Sequence, residues 1–254
     1  MKIIFCGYGK AGKECLIQLL GHPKVCKENI FVYTCKGPDN ESFEDYLKKM
    51  QFSYKTAHIN KDYKFLKTVH PNFLISAYYR FIISDEILSL TQYKSMNLHP
   101  SLLPNYRGCF SSVWSILNGE EKTGITFHYI TSEIDGGNII LQKEIKIIDS
   151  DTAFSLYNKL IGLFVTHFLE ATNLLINGNK GYTQSKTQEI KYYKRELPFN
   201  GVLNAKEIEF SFAKKFFKAL YFPPFPNAKF NIDGDIIEIN SLEMLNNLKH
   251  KFKI

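Results

Sequence analysis

An amide and an imidazole stand two residues apart in the segment Met96-Asn97-Leu98-His99-Pro100-Ser101-Leu102-Leu103-Pro104-Asn105-Tyr106-Arg107-Gly108. If residues 94–98 form a strand, Asn97 and His99 project from one face, because strand side chains alternate with period two. An amide donor beside an imidazole suits a reaction that builds an oxyanion and moves a proton. A lone histidine is most simply a satisfied core or surface residue. Here the neighbouring Asn, and a loop fixed by Pro100 and Pro104, weigh against that plain reading. Further on, Thr123-Gly124-Ile125-Thr126-Phe127-His128 leads to Ile134-Asp135-Gly136-Gly137-Asn138. Asp135 alone is a turn residue capping a hairpin. With an imidazole to orient, its carboxylate acquires a catalytic use. His128, isolated on a β-rich run, reads mainly as structural.

Elements of regular structure must position these groups. Residues 2–6 are a short apolar run entering Gly7-Tyr8-Gly9-Lys10-Ala11-Gly12, and Leu16, Ile17, Leu19 and Leu20 then keep helical spacing to Gly21. Residues 30–35 and 72–77 are the next strand candidates, with amphipathic helices over 41–50 and 61–69 between them. Strand alternating with helix predicts an α/β, Rossmann-like, mainly parallel sheet with helices on both faces. Residues 123–131 and 138–148 are β-rich around the Asp-Gly-Gly turn, and 151–176 carry a long helical pattern with capping oxygens in Asp149-Ser150-Asp151-Thr152. After Gly181 the texture changes: 183–198 read as a linker or extended loop. A helix through Phe212 and Phe216 comes next, stopped by Pro223-Pro224-Phe225-Pro226, then a hairpin about Asp233-Gly234. This divides the chain into a catalytic domain over 1–182 and a linker with a small α+β appendage over 183–254.

The G-x-G-x-x-G run could bring backbone N–H groups to a phosphate. The ribose-binding acid expected about 20 residues later is missing. The run therefore reads first as a structural turn, with contact to a nucleotide-linked substrate through Gly9 as a second use.

Composition narrows the classes further. The 254 residues are 44% hydrophobic and 22% charged, with 21 Phe and 15 Tyr, which excludes a collagenous or mainly disordered chain. Apolar stretches are short against the roughly 20 residues of a bilayer span, and the N-terminal run is too short for a signal-peptide core of ~7–15 residues. Five cysteines without a C-x-x-C pair point away from disulfides and zinc and towards a reducing cytoplasm. The net charge of +7 is weighted to the last third, where 13 basic face 8 acidic residues from Lys180 onward. That is a solvated lysine-rich surface rather than the dense stripe of a nucleic-acid binder, and it can attract a phosphate-bearing small molecule.

The pattern N-x-H-P-S-L-L-P-x-Y-R-G, succeeded by T-G-I-T-x-H and I-D-x-G, resembles the formyltetrahydrofolate-dependent formyltransferases, which include methionyl-tRNA, glycinamide-ribonucleotide and nucleotide-sugar formyltransferases. The match is strong over residues 73–142 and looser over the N-terminal units. The resemblance implies that Asn97 stabilises the oxyanion, that His99 handles the proton of an attacking amine, and that Asp135 orients His99. It implies a 10-formyltetrahydrofolate co-substrate, no metal, and a folate contact along Tyr78, Tyr79, Arg80 and Ile82, with Asp135 at the same ligand. The plain reading of that run is a strand end with exposed aromatics.

The acceptor is read from the residues C-terminal to the motif. About 70 residues remain after Thr183, short for a linker plus a five-stranded oligonucleotide-binding barrel. Cys109-Phe110-Ser111-Ser112-Val113-Trp114 lacks the Ala-Pro of the tRNA enzymes and is similar to the sugar enzymes. So is Lys218-Ala219-Leu220-Tyr221-Phe222-Pro223-Pro224-Phe225-Pro226, except for Lys218 in place of Arg. The expected substrate is a nucleotide-linked, thymidine diphosphate-type dideoxy amino sugar of surface-glycan biosynthesis. Its candidate contacts are Gly9, Tyr106, Arg107, Gly108, Trp114, Tyr221 and Phe222. Aromatics can stack on a base, and a guanidinium fork suits phosphate oxygens; core packing and a loop-fixing ion pair are the plain alternatives. Methionyl-tRNA formylation, an NAD-dependent oxidoreductase and an RNA-binding module stay open as other readings. The Asp233-Gly234 hairpin and the aromatic loop fit a homodimer contact or a packed appendage equally well.

Overall fold

The structure, a computed structural model, describes residues 1–185 and 190–253. In chain order the described elements are β1 (Ile3–Gly7), α1 (Gly9–Leu20), β2 (Ile30–Thr34), α2 (Glu41–Lys49), β3 (Tyr54–Thr56), α3 (Tyr63–Val69), β4 (Phe73–Ala77), α4 (Asp85–Ser89) and β5 (Ser95–His99). Next come β6 (Arg107–Gly108), α5 (Ser111–Asn118), β7 (Lys122–Tyr129), β8 (Ile139–Lys146) and α6 (Ala153–Ile176). The last are β9 (Tyr192–Tyr193), β10 (Val202–Asn204), α7 (Phe210–Leu220), β11 (Lys229–Ile232), β12 (Asp235–Glu238) and α8 (Leu242–Asn247). Two compact units form: Met1–His99, Ile125–Lys143 and Ile161–Glu189 make one, and Pro100–Gly124, Glu144–Leu160 and Ile190–Ile254 the other.

The first unit is built on a sheet of order β3-β2-β1-β4-β5-β7-β8. Its strands are parallel from β3 to β5, and β7 runs antiparallel to β5. β1 is buried at every residue, as a central parallel strand covered on both faces must be. Alternation assigns those faces: Phe5 meets Phe43 of α2 edge-on at 6.5 Å, whereas Ile4 and Cys6 join a cluster with Leu66 of α3 and Ile87 and Leu88 of α4. Helices therefore cover both sides, as the alternating sequence pattern predicts. The edge strand β3 escapes that pattern because it has three residues, all at least partly exposed, and so no apolar signature.

Helix α6 places Leu156, Leu160, Ile161, Phe164, Phe168, Ala171 and Leu175 in the protein interior at three- and four-residue spacing. Burying each large member contributes about 1.5–3 kcal/mol. Contrary to the expectation that apolar stretches are short against a bilayer span, this helix is long and apolar enough to cross a membrane by length and composition alone. Phe164 meets Tyr78 and Phe127 edge-on at 6.0 and 5.3 Å.

In the second unit, the predicted capping of α6 is realised in detail. Thr152 N–H donates to Ser155 Oγ at 3.0 Å and Ser155 N–H to Thr152 Oγ1 at 3.2 Å, a reciprocal box. Asp151 accepts from the Ile148 amide, from the Ser155 hydroxyl and from Lys159. β11 and β12 form the predicted hairpin, with Asp233 and Gly234 both at positive φ and the Gly234 amide donating to Asn231 Oδ1. Phe210, Phe216, Phe230 and Phe252 pack as a chain of ring pairs beneath it. Within the predicted linker, Tyr192–Tyr193 pairs with Arg107–Gly108 as β9 with β6; residues 186–189 of that linker lie outside the described residues.

Candidate active site

All of the candidate catalytic side chains belong to the first unit. β5 carries Asn97 and His99 on one face, as the period-two argument requires. The antiparallel register of β7 on β5 sets Asn97 opposite His128 and His99 opposite Thr126. The turn after β7 holds Asp135 in the left-handed region, φ 51°, where Asp is among the few residues readily accommodated. That turn is pinned by the Gln184 amide, which donates to the Asp135 and Gly137 carbonyls at 2.6 and 2.8 Å. A Cβ on Gly137 would lie 1.9 Å from the Tyr129 carbonyl oxygen, so no larger residue allows the turn to approach this closely.

His99 Nδ1 lies 3.3 Å from Asp135 Oδ2, with the His99 side chain 4% and the Asp135 side chain 10% exposed. A carboxylate at that position holds the imidazole proton on Nδ1 and leaves Nε2 to face a reacting group. The three residues picked from sequence thus converge on one buried site.

His128, read from sequence as structural, belongs to the same cluster. Its Nε2 is 3.2 Å from Asn97 Nδ2 and 3.5 Å from Asp135 Oδ1, and its Nδ1 is 2.9 Å from the Tyr129 carbonyl oxygen. The only signal for it in the sequence was its place in the T-G-I-T-x-H motif. A histidine isolated on a strand reveals nothing about the strand opposite.

Residues 78–83 leave the carboxyl end of β4, which neighbours β5, so they emerge at the same sheet edge as Asn97 and His99. Tyr79 is half-buried and held by its hydroxyl, which donates to the Ala57 carbonyl at 2.6 Å and accepts from the Ile59 amide at 3.0 Å. Burial pushes the Tyr79 phenol up. The Asn60 side chain holds the Ile82 carbonyl and the Ser84 amide, while the side chains of Phe81 and Ile82 stay exposed, Ile82 at 69%. Arg80 lies over the Tyr8 ring at 4.6 Å and donates to its hydroxyl at 3.0 Å.

At the Gly7–Gly12 turn, the Gly9 amide donates to buried Asn40 Oδ1 at 2.9 Å. Asn40 in turn donates to Thr34, Cys35 and Glu44. One of the N–H groups that this turn could offer a phosphate is therefore already bonded within the protein, in keeping with the missing ribose-binding acid.

The candidate substrate contacts other than Gly9 lie in the second unit. The Tyr106 ring stacks on Tyr193 at 5.4 Å and 19°, and its hydroxyl donates to Glu120 at 2.6 Å. Trp114 lies over the same Tyr193 ring at 4.8 Å. Arg107 is 4% exposed. Gly108 allows the β6–β9 pairing, since a Cβ there would fall 2.2 Å from the Tyr193 carbonyl. Phe222 packs edge-on to Phe154 and Tyr157, and the Tyr221 carbonyl accepts from the Phe154 amide at 3.2 Å. Lys218 pairs with Asp149 at 2.9 Å, which gives the Lys in place of the family's Arg an ionic partner within the chain. Among the described residues no group of three or more His, Cys, Asp or Glu side chains is arranged to hold a metal ion.

A sequence profile of the formyl transferase family matches residues 25–172. The GDP-perosamine N-formyltransferase of Brucella melitensis is 36% identical over 251 residues, 97% of this chain and 95% of that one. Among solved structures, the N-formyltransferase from Helicobacter canadensis in complex with folinic acid and dTDP-3-aminofucose superposes with a TM-score of 0.74 at 24% identity, covering 93% of this chain and 86% of that one. A 4-N formyltransferase from Francisella tularensis gives 0.73 at 22% identity, covering 94% and 97%. Sequence coverage on this scale, added to the Asn-His-Asp convergence, makes the chain a formyltransferase and a member of the formyl transferase family.

Proposed function

We propose that this protein transfers a formyl group from 10-formyltetrahydrofolate to the amino group of a nucleoside diphosphate-linked amino sugar. The observation that carries the reading is the convergence of Asn97, His99 and Asp135 at the carboxyl edge of a parallel sheet. The folate fits what the residues offer. An exposed apolar edge of Phe81 and Ile82, on a segment pinned by Asn60, emerges at that same edge and suits a flat heterocycle. The co-substrate supplies an activated formyl carbon.

The residues of this chain then divide the work. His99 Nε2 takes the proton that the attacking amine must lose. Asp135, at Nδ1, fixes the tautomer and favours the imidazolium as it forms. Asn97 presents an amide N–H to the oxygen on which negative charge develops. Tyr78, Arg80 and Ile82 are assigned to the folate, while Tyr79 supports their segment through the Ala57 and Ile59 backbone. Arg107, Trp114, Tyr221 and Phe222 are assigned to the nucleotide sugar, with Tyr106 and Gly108 shaping that loop through their pairing with Tyr193 and its neighbour.

The base is where the supports differ. The sequence reading expects a thymidine diphosphate-linked sugar, whereas the relative that is 36% identical over 97% of this chain is named for a GDP-linked sugar. The longer similarity puts guanosine first. The test is release of tetrahydrofolate from 10-formyltetrahydrofolate with GDP- and dTDP-linked amino sugars, together with mass detection of the formamido product. Turnover with either supports the reading, and the preferred base decides the nucleotide. Absence of product with every amino sugar, under conditions where the protein is folded, would overturn it.

A further inference from the structure

We propose that His128 is a positioning residue that sets the orientation of the Asn97 amide by accepting its N–H at an unprotonated Nε2. This rests on the formyl-transfer reading for its catalytic meaning, but on the geometry of four side chains for its substance. The Tyr129 carbonyl oxygen, 2.9 Å from His128 Nδ1, can only accept, so Nδ1 carries a proton. In the neutral ring Nε2 then has a lone pair and no hydrogen. Facing it at 3.2 Å is the Asn97 side chain, of which only Nδ2 can donate. One amide proton is thereby tied to His128, and the flipped amide, with its oxygen against the Nε2 lone pair, is disfavoured. The remaining N–H is fixed in direction, as a donor to a developing oxyanion must be.

The competing arrangement is an imidazolium with a proton on both nitrogens. Its Nε2–H would turn to Asp135 Oδ1, 3.5 Å away, and draw on the carboxylate whose other oxygen serves His99. Asn97 would then offer its oxygen to the ring and lose the set of its amide. The two arrangements differ in the proton on Nε2 and in which residue His128 acts through, so they separate experimentally.

The test combines ring ¹⁵N NMR on the whole protein with kinetics of His128→Phe, His128→Gln, Asn97→Ala and the Asn97→Ala/His128→Phe double variant. Phe keeps bulk and removes the acceptor, whereas Gln can return an oxygen near the Nε2 position. Losing one oxyanion donor costs about 10²–10³ in kcat, which bounds what His128 can do through Asn97. The expected results are a proton on Nδ1 with none on Nε2, and a fall in kcat of about 30-fold or more for His128→Phe with KM changed less than about 3-fold. The double variant should be no slower than Asn97→Ala, because both remove the same interaction. His128→Gln should recover most of the loss.

A proton on Nε2, a His128→Phe enzyme within about 3-fold of the parent, or a loss that multiplies with that of Asn97→Ala would overturn the proposal. Should His128→Phe not fold, the Gln variant and the ring spectrum decide. A folded parent protein that forms no product refutes the formyl-transfer reading separately, and the spectrum still decides the hydrogen bond.

Discussion

Replacing Asp135 by Asn isolates the carboxylate charge from everything else the residue does. The backbone at φ 51° tolerates Asn, and the turn is held by Gln184 through carbonyl groups rather than through the Asp135 side chain. The side chain keeps its shape and an oxygen able to accept from His99 Nδ1. What disappears is the attraction between the carboxylate and the imidazolium that forms as the amine loses its proton. At the observed 3.3 Å, Coulomb's law with an effective dielectric of 20 gives about 5 kcal/mol, an upper bound of a few thousand-fold in rate. A whole hydrogen bond to a charged group contributes about 1.5–3 kcal/mol, or 10–150-fold, which sets the lower scale. Asp135→Asn should therefore reduce kcat by about 10²–10³ with little change in KM for either substrate. Initial-rate measurements at saturating co-substrate, with circular dichroism to show an unchanged fold, make the test. A variant retaining more than a third of the parent kcat would refute an electrostatic role for Asp135.

Gly137→Ala should lose both stability and activity, because the added Cβ meets the Tyr129 carbonyl that anchors His128; a drop of about 2–3 kcal/mol in urea unfolding is expected. Gly108→Lys should disrupt the β6–β9 pairing and raise KM for the nucleotide sugar more than for the folate, as measured by varying each in turn. Burial pushes the Asp151 carboxyl up, but Lys159, the Ile148 amide and the Ser155 hydroxyl outweigh it and hold it below its usual value. A carboxyl lowered on folding stabilises the protein above its unfolded pKa of about 3.9, and that contribution fades as pH falls through the lower folded value. Asp151→Asn should thus lower the urea midpoint at pH 7 and narrow its gap to the parent in acid, where an unchanged gap would refute the linkage.

Local rules account for what could be read directly. Apolar runs alternating with amphipathic ones give the order of strands and helices, because each element must bury one face whatever its partners are. Asp151, Thr152 and Ser155 cap α6 within five residues of one another, and Asp233-Gly234 makes its own turn, so both were legible. Asn97 and His99 share a face through strand periodicity alone. Short elements such as β3, β6 and β9 carry too few residues for a period and emerge only from pairing.

Non-local packing decided the rest. The register of β7 on β5 sets His128 against Asn97, and a slip of one residue would turn its ring to the opposite face of the sheet. The Asp135 turn reaches His99 because Gly137 lets two backbones approach and Gln184, remote in sequence, ties the turn down. Asn40 likewise consumes the Gly9 amide, a choice invisible in the glycine pattern. Sequence alone named the amide, the imidazole and the carboxylate, since their types and local spacing are intrinsic to the chain. Only tertiary structure could decide which polar atoms each would meet, because a hydrogen-bond partner is fixed by how distant segments pack.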